Sequence, residues 1–528
     1  MRKGYSPLRL ACIAFFIFLC SACTKPKPAA PTEKTDTLTE VKQATLPLPD
    51  TSYASIGELD YKIDLTDSLQ DGTLTDLRDE YANVPGIFTF RGGPRRDAAF
   101  HGTVKGEPDS ISVDWCFRTA YDGRKSDFGV WGGGTGWTGQ PLYVCWPDSC
   151  MQQFQKRSPA LLPSFSKEEI IVGSLCGKVY FIDFQTGDSS RRSINVHNTI
   201  KGTPSLDPTL NGNLYVGQGI PLERPFGALT LNLFTHQQTQ VFPADNRAWR
   251  HWHAYDASPI RVGDFLFRVG ENGTIYKYRC EQNELKEHSI LRYRVKGKGA
   301  PGMEASMAVY LNYGYISDNH GNIICINLNT LKPVWYYNNH DDTDASPVLE
   351  ITDGIPYLYS GCEVDRQGEN GICHIVKINA LNGELCWERN IDAHRVRYHE
   401  QTFDGGIFGT PLLGEGDCSE LIFFNFVSNT PAMAGEFIAL EKKSGEIVYR
   451  THLKWYPWSS PVSLLNEHNK MYVFTGDTSG SVYLIEAATG KILYTKRVGN
   501  NFESSPVVID NHIVIGSRGQ QIYRMSVW

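Results

Sequence analysis

The sequence predicts an all-β protein: an eight-bladed β-propeller of four-stranded antiparallel blades, its ring closed by an N-terminal strand. Three observations lead there. A ten-residue phrase recurs, beginning at a glycine, running through an alternating apolar strand and turning on Gly or Asn. It is clear in GKVYFIDFQTG from Gly177, GTIYKYRCEQN from Gly273, GNIICINLNTL from Gly321, CHIVKINALNG from Cys373, GEFIALEKKSG from Gly435 and GSVYLIEAATG from Gly480, and weaker from Gly227 and Gly519. The starts step by 50, 46, 48, 52, 62, 45 and 39 residues, the period of a repeat array. Upstream of each phrase lies a small-residue run ending in proline, at Pro141, Pro204, Pro259, Pro347, Pro411, Pro461 and Pro506, with Met307 in the remaining slot. Lastly, the final unit stops at Trp528 after three strands, and DSISVDWCFRT near the start supplies the fourth.

Each unit follows from local chemistry. Proline is tolerated at the first residue of a strand, where its missing N–H breaks no ladder bond, so strand A begins after it. Strand B runs toward the glycine, and the phrase itself makes strands C and D. The phrase often closes on an aromatic, at Trp335, Trp387, Tyr449 and Tyr494, and Trp115 takes that place in the N-terminal strand. Pairing that strand with the last unit removes both open sheet edges.

In chain order, Arg2, Lys3 and Arg9 precede an apolar stretch at residues 10–19, too short for a stable membrane span. Cys20-Ser21-Ala22-Cys23 follows and resembles a bacterial lipoprotein signal, which implies removal of residues 1–22 and lipidation of Cys23. Cys20 stands where such signals usually hold leucine, and simple cleavage after Ala22 is the alternative. Residues 23–40 form a Pro/Thr/Lys tether with nothing to bury, residues 41–86 an extension of unassigned fold, and residues 87–528 the ring. A lipid anchor and tether suit the bacterial cell envelope, on the periplasmic face of the outer membrane or at the cell surface.

A net charge of −7 across 528 residues argues against a nucleic-acid binder, which would show a basic stripe. Ten cysteines lie between Cys116 and Cys418, and an exported chain meets an oxidising compartment. Cys362 with Cys373, and Cys145 with Cys150, are the candidate disulfide pairs, while Cys176, Cys325 and Cys386 sit inside strand phrases and read as buried thiols. No CxxC or His/Cys spacing suggests zinc.

The repeat phrase, with the lead-in FTFRGGPRRDAAFHGTV, resembles the pyrroloquinoline-quinone (PQQ) repeat of quinoprotein-dehydrogenase-like propellers over about four-fifths of the chain. The resemblance implies the propeller fold, and it implies that each phrase aromatic docks on the turn glycine of a neighbouring blade. It also raises a PQQ- and calcium-dependent alcohol or aldose dehydrogenase, with Glu304, Asn429 and Asp256 as residue types in suitable loops. The adjacent-cysteine pair of many such dehydrogenases is absent, as is a CxxCH haem motif. Anchor, tether and eight units are also similar to the layout of the propeller lipoprotein of outer-membrane barrel assembly, which binds partners and no quinone.

Antiparallel geometry puts the loops entering strand A and the B–C loops on one face, where function concentrates. Those loops hold more than half of the 11 tryptophans, with histidines and carboxylates. Trp131, Trp137, Trp252, His253, Asp256, Glu304, Asp344 and Trp458 are the candidate ligand-binding residues, a set suited to a glycan or an envelope protein. HWHAYD (residues 251–256) offers metal-type ligands, or hydrogen bonds to its own loop. DDTD (residues 341–344) offers calcium-type oxygens, or a cap in which Asp344 bonds the strand-A turn. With no catalytic motif, the reading is a lipid-anchored binding or assembly module, with the quinoprotein dehydrogenase as alternative.

Overall fold

The computed structural model describes residues 56–65, 78–82, 85–97, 102–137, 139–281, 284–399 and 401–528. The signal, the tether and Cys23 lie outside the described residues, as does Glu400. Eight blades close a ring: blade 1 at residues 142–195, blade 2 at 205–242, blade 3 at 260–295, blade 4 at 308–338, blade 5 at 348–394, blade 6 at 412–453, blade 7 at 462–497 and blade 8 at 507–527. Blade 8 takes its outer strand from Ile111–Arg118, antiparallel to Gln521–Val527, as the incomplete last unit requires.

The glycine phrase is legible as packing. On strand D the aromatic follows a β-bulge, so Trp335 pairs with Cys325 but Pro333 with Ile326, and the same slip precedes Trp387, Tyr449, Tyr494 and Trp115. A bulge adds local twist and re-aims the next side chain. Trp335 lies against Gly383 of blade 5, where a Cβ would fall 2.9 Å from the indole, and its Nε1 donates to Ala380 O at 3.0 Å. Trp387 repeats this on Gly445 and Lys442 O, and Tyr449 on Gly490 and Ala487 O. Trp115 repeats it on Gly187 and Phe184 O, tying blade 8 to blade 1. Blade 2 carries Gln240 in this slot, which instead exchanges two bonds with the Leu285 backbone of blade 3, at 3.0 and 2.6 Å.

The proline signature has two roles. The residue before the slot bonds its counterpart in the next blade: Gln140 N to Thr203 Oγ1, Ser258 N to Ser306 Oγ, Ser306 N to Ser346 Oγ, Thr410 N to Ser460 Oγ and Ser460 N to Ser505 Oγ. These bonds form a hydroxyl belt around the inner wall. The carbonyls at the slots receive the lead-in segment, which crosses the axial channel. Arg96 donates to Met307 O, Ser258 O, Phe90 O and Thr89 Oγ1, and Arg91 to Pro461 O at 2.7 Å and Pro411 O at 3.5 Å. Burial pushes both guanidinium groups down to about 10, and their many acceptors are what keep them buried. Backbone bonds from Leu206 to Phe88 O, Val309 to Pro94 O and Leu349 to Arg95 O complete a plug spanning blades 2 to 7.

The extension also joins the ring. Leu59–Leu65 pairs antiparallel with the outer strand of blade 3, Gly86–Ile87 pairs with the inner strand of blade 1, and Tyr81 Oη bonds both N and O of Arg261. The ten described cysteines are free thiols. Cys362 and Cys373 are buried neighbours, the Cys373 thiol donating to Cys362 O at 3.0 Å, but no bridge joins them. Nor does one join Cys145, on strand A of blade 1, to Cys150, in the helix Asp148–Arg157 with its thiol toward Leu210 O. That helix is the local reason: it carries Cys150 away from the strand end and into the core beside Phe154. Cys176 and Cys325 are buried as expected, but Cys386, also expected buried, is exposed, at the D-strand bulge before Trp387.

Candidate functional site

Above the plug, loops entering strand A and B–C loops surround a funnel with a cavity of about 710 Å³. Its wall combines aromatics (Trp137, Tyr398, Phe403, Phe408, Trp455, Tyr456, Trp458) with carboxylates (Glu304, Asp342, Asp344, Glu363, Asp365, Asp404, Glu503). Among the described residues that line it, Arg518 is the one arginine or lysine, and it lies 3.3 Å from Glu503.

Trp137 is the most constrained residue there. Its φ of 54° is left-handed, a strained conformation for a bulky residue. Its N–H donates to Glu503 at 3.2 Å, and its indole Nε1 to Glu304 at 2.7 Å. Its ring packs against Trp458 at 5.0 Å and lies over Lys201 Nζ at 4.1 Å. Lys201 is the cation that sequence reasoning missed: buried, ion-paired with Asp256 and 3.6 Å from Glu304. Burial alone would lower Lys201, but Asp256, Glu304 and Glu271 outweigh it and hold the ammonium above its ordinary value. The same burial raises Asp256, with Lys201 offsetting part of the effect. Asp256 thus belongs to a neutralising network behind the wall.

A second acidic cluster adjoins this network. Carboxylate oxygens of Asp342, Asp344 and Glu363 fall within 4.8 Å of one another. Glu363 is 6% exposed, and its Oε1 has no hydrogen-bond partner. Burial, then repulsion from Glu304, pushes Asp342 up to about 8 and raises Asp344 well above the carboxylate range, and burial with repulsion from Asp344 and Asp342 does the same to Glu363. Asp404 is pushed up to about 6 by burial and by Asp365, with Arg395 opposing. The cap expected from Asp344 falls to Asp341, whose carboxylate accepts the Asp342 N–H of the same turn and also ties down the B–C loop through the N–H groups of Asp365 and Arg366 and the Gln367 amide. Capping by Asp341 leaves Asp344 to the funnel.

Of the eight residues singled out from sequence, Trp137, Glu304, Asp344 and Trp458 line the funnel. Trp131 supports it from behind, 6.4 Å from Trp137 and under the Arg518 guanidinium. Trp252 packs between Phe128 and Phe226 outside the funnel lining, and His253 is buried beside Asn272. The two HWHAYD histidines join no metal cluster among the described residues, their rings lying 6.4 Å apart, whereas Asp256 converges with Glu271 and Glu304 within 4.8 Å and is held by Lys201. Asp342 and Asp344 of DDTD come together with Glu363, whereas Glu363 and Tyr456 were missed, because they sit in loops whose convergence has no local spacing signal.

A quinone with calcium is the group this fold family raises. Asp256 and Glu304 converge with Glu271, their ligand oxygens within 4.8 Å, but Asp256 is ion-paired with Lys201 there. Asn429 is otherwise engaged: its NH2 donates to the His394, Phe403 and Asp404 carbonyls at 2.7, 3.2 and 3.1 Å, and its Oδ1 accepts the Met433 N–H at 3.2 Å. The Asp342, Asp344 and Glu363 oxygens suit a hard cation. The wall offers little beyond Arg518 to the three carboxylates of the quinone itself.

Fold and site together define an eight-bladed β-propeller with a decorated funnel. A family model described as outer membrane protein assembly factor BamB matches residues 433–527. Among solved structures, the chain is similar to BamB from Moraxella catarrhalis, at 15% identity and a TM-score of 0.50, covering 79% of this chain and 100% of that one. It is also similar to a europium-containing methanol dehydrogenase, at 12% identity and a TM-score of 0.57, covering 85% and 100% of the two chains. A quinohemoprotein alcohol dehydrogenase from Comamonas testosteroni gives 13% identity and a TM-score of 0.57 over 85% and 82%. At these identities the likeness is one of fold. No curated protein matches the sequence.

Proposed function

We propose that this chain is a non-catalytic binding module of the bacterial cell envelope, anchored through lipid on Cys23, whose funnel receives a basic segment of an envelope protein. The observation that carries the reading is a carboxylate-rich wall set among aromatic faces, with its one lining arginine already beside Glu503. Aromatic faces attract ammonium and guanidinium groups, the more so when desolvated, and buried Trp and Tyr are the usual anchors of protein recognition. The match of residues 433–527 to an assembly-factor model supports the envelope setting.

The test is a calorimetric titration of the purified protein with a Lys/Arg-rich peptide, a neutral oligosaccharide and an acidic peptide. Saturable, salt-sensitive binding of the basic peptide alone is the expected result. Binding of the oligosaccharide alone moves the reading to a glycan.

One observation favours a second reading, the PQQ- and calcium-dependent dehydrogenase: Asp342, Asp344 and Glu363 converge as a hard-cation set, and a europium-containing enzyme shares the fold. Dye-linked oxidation of an alcohol or aldose after loading with PQQ and calcium would establish it in place of the first.

A further inference from the structure

The loop that sends Asp342 and Asp344 into the funnel also carries His340, and there a second cluster forms, outside the funnel lining. His340 lies on the connection from blade 4 to blade 5, His374 on strand C of blade 5 and Glu388 on its strand D. The two imidazoles face each other with centroids 4.1 Å apart and planes at 31°. His374 Nδ1 is 2.5 Å from Glu388 Oε1, and one ligand atom from each of the three residues falls within 4.8 Å of the others.

We propose that His340, His374 and Glu388 bind a divalent metal ion of the zinc class. Two imidazoles and one carboxylate are a donor set such ions take, with the remaining position left to solvent. His374 and Glu388 are rigid, anchored on paired strands with side chains 12% and 22% exposed. The Tyr337 hydroxyl of blade 4 reaches the second Glu388 oxygen at 3.5 Å and orients the carboxylate, as outer partners of metal ligands do. His340 is the adjustable ligand: it is exposed, its φ is 71°, and its N–H is fixed on Asn338 Oδ1 at 3.0 Å. Zinc bonds of about 2.0–2.2 Å require a modest inward swing of that ring. His374 then carries its proton on Nε2, and two metal bonds replace its hydrogen bond to Glu388. The bound ion would join blade 4 to blade 5 at the loop that carries Asp342 and Asp344.

The experiment titrates the purified protein with zinc chloride by calorimetry and records the visible spectrum with cobalt as a substitute ion. One ion per chain is expected, with affinity falling at least about tenfold in His340→Ala, His374→Ala and Glu388→Gln. His251→Ala, which alters the other histidine pair, and Asp344→Asn, which alters the funnel, should leave it unchanged. His340→Ala is decisive because this exposed side chain can be removed without disturbing the core, and a melting curve without metal confirms folding. The proposal is overturned if the wild type binds no zinc, if His340→Ala binds as the wild type does, or if affinity follows Asp344 or His251 instead.

Discussion

At the scale of single residues, the funnel divides its aromatic and acidic groups into support and contact. Trp458 lines the cavity against Trp137 and Phe408, whereas Trp252 is held by Phe128 and Phe226 away from it. Trp458→Ala should therefore weaken binding of a basic peptide by about 2 kcal/mol, the scale of an interface anchor, while Trp252→Ala leaves it unchanged. Titration of each variant checks this. Titration of the wall has a definite sign. Asp404, pushed up to about 6, and Glu363, pushed well above its ordinary value, keep protons in the folded chain that the unfolded chain releases. Their contribution to stability is fully present below the ordinary carboxylate pKa and is lost as pH rises through the folded values. Denaturant midpoints measured from pH 4 to 7 should fall with rising pH, and Glu363→Gln should flatten part of that slope. A cationic ligand favours the ionised forms, so its affinity should rise over the same range with release of protons into the buffer. The sequence disclosed Trp137, Glu304, Asp344 and Trp458 because they stand in loops whose face antiparallel geometry assigns. It did not disclose Glu363 or Lys201, whose meaning depends on neighbours from other loops, Asp342 and Asp256.

At the scale of elements, blade-to-blade adhesion rests on the aromatic that follows each D-strand bulge and on the glycine beneath it. Gly383 has a φ of +76° and no room for a Cβ beside Trp335, so Gly383→Ala should destabilise by about 1–3 kcal/mol. Trp335→Ala, which empties a fully buried site, should cost about 3–5 kcal/mol. Chemical denaturation measures both. This packing was legible because phrase, turn and aromatic lie within some fifteen residues, and the period carries the rest. The two disulfide pairings were not, since the helix at Asp148–Arg157 interrupts the expected hairpin and Cys362 and Cys373 lie side by side unbridged.

At the scale of the whole molecule, the ring is held twice: circumferentially by the hydroxyl belt and the closing strand, and axially by the plug. Arg96 alone bonds acceptors from blades 3 and 4 and from its own segment. Arg96→Ala strands four buried acceptors and should lower stability by roughly 3–5 kcal/mol, and Arg96→Lys should recover little, lacking the planar fork. Equilibrium unfolding decides both. The ring was visible in the sequence because repeats announce themselves by spacing, and Trp115 announced its closure. The plug was not, because FTFRGGPRR finds partners as far as 370 residues away along the chain. The central claim is that this repeat, which resembles one named for a quinone, here frames a funnel for cations. The most direct measurement is calorimetry of the purified protein with a Lys/Arg-rich peptide, beside PQQ with calcium. Saturable peptide binding that weakens with salt and at least about tenfold in Glu363→Gln is the expected result. Saturable PQQ binding with turnover, and no response to the peptide, would contradict it.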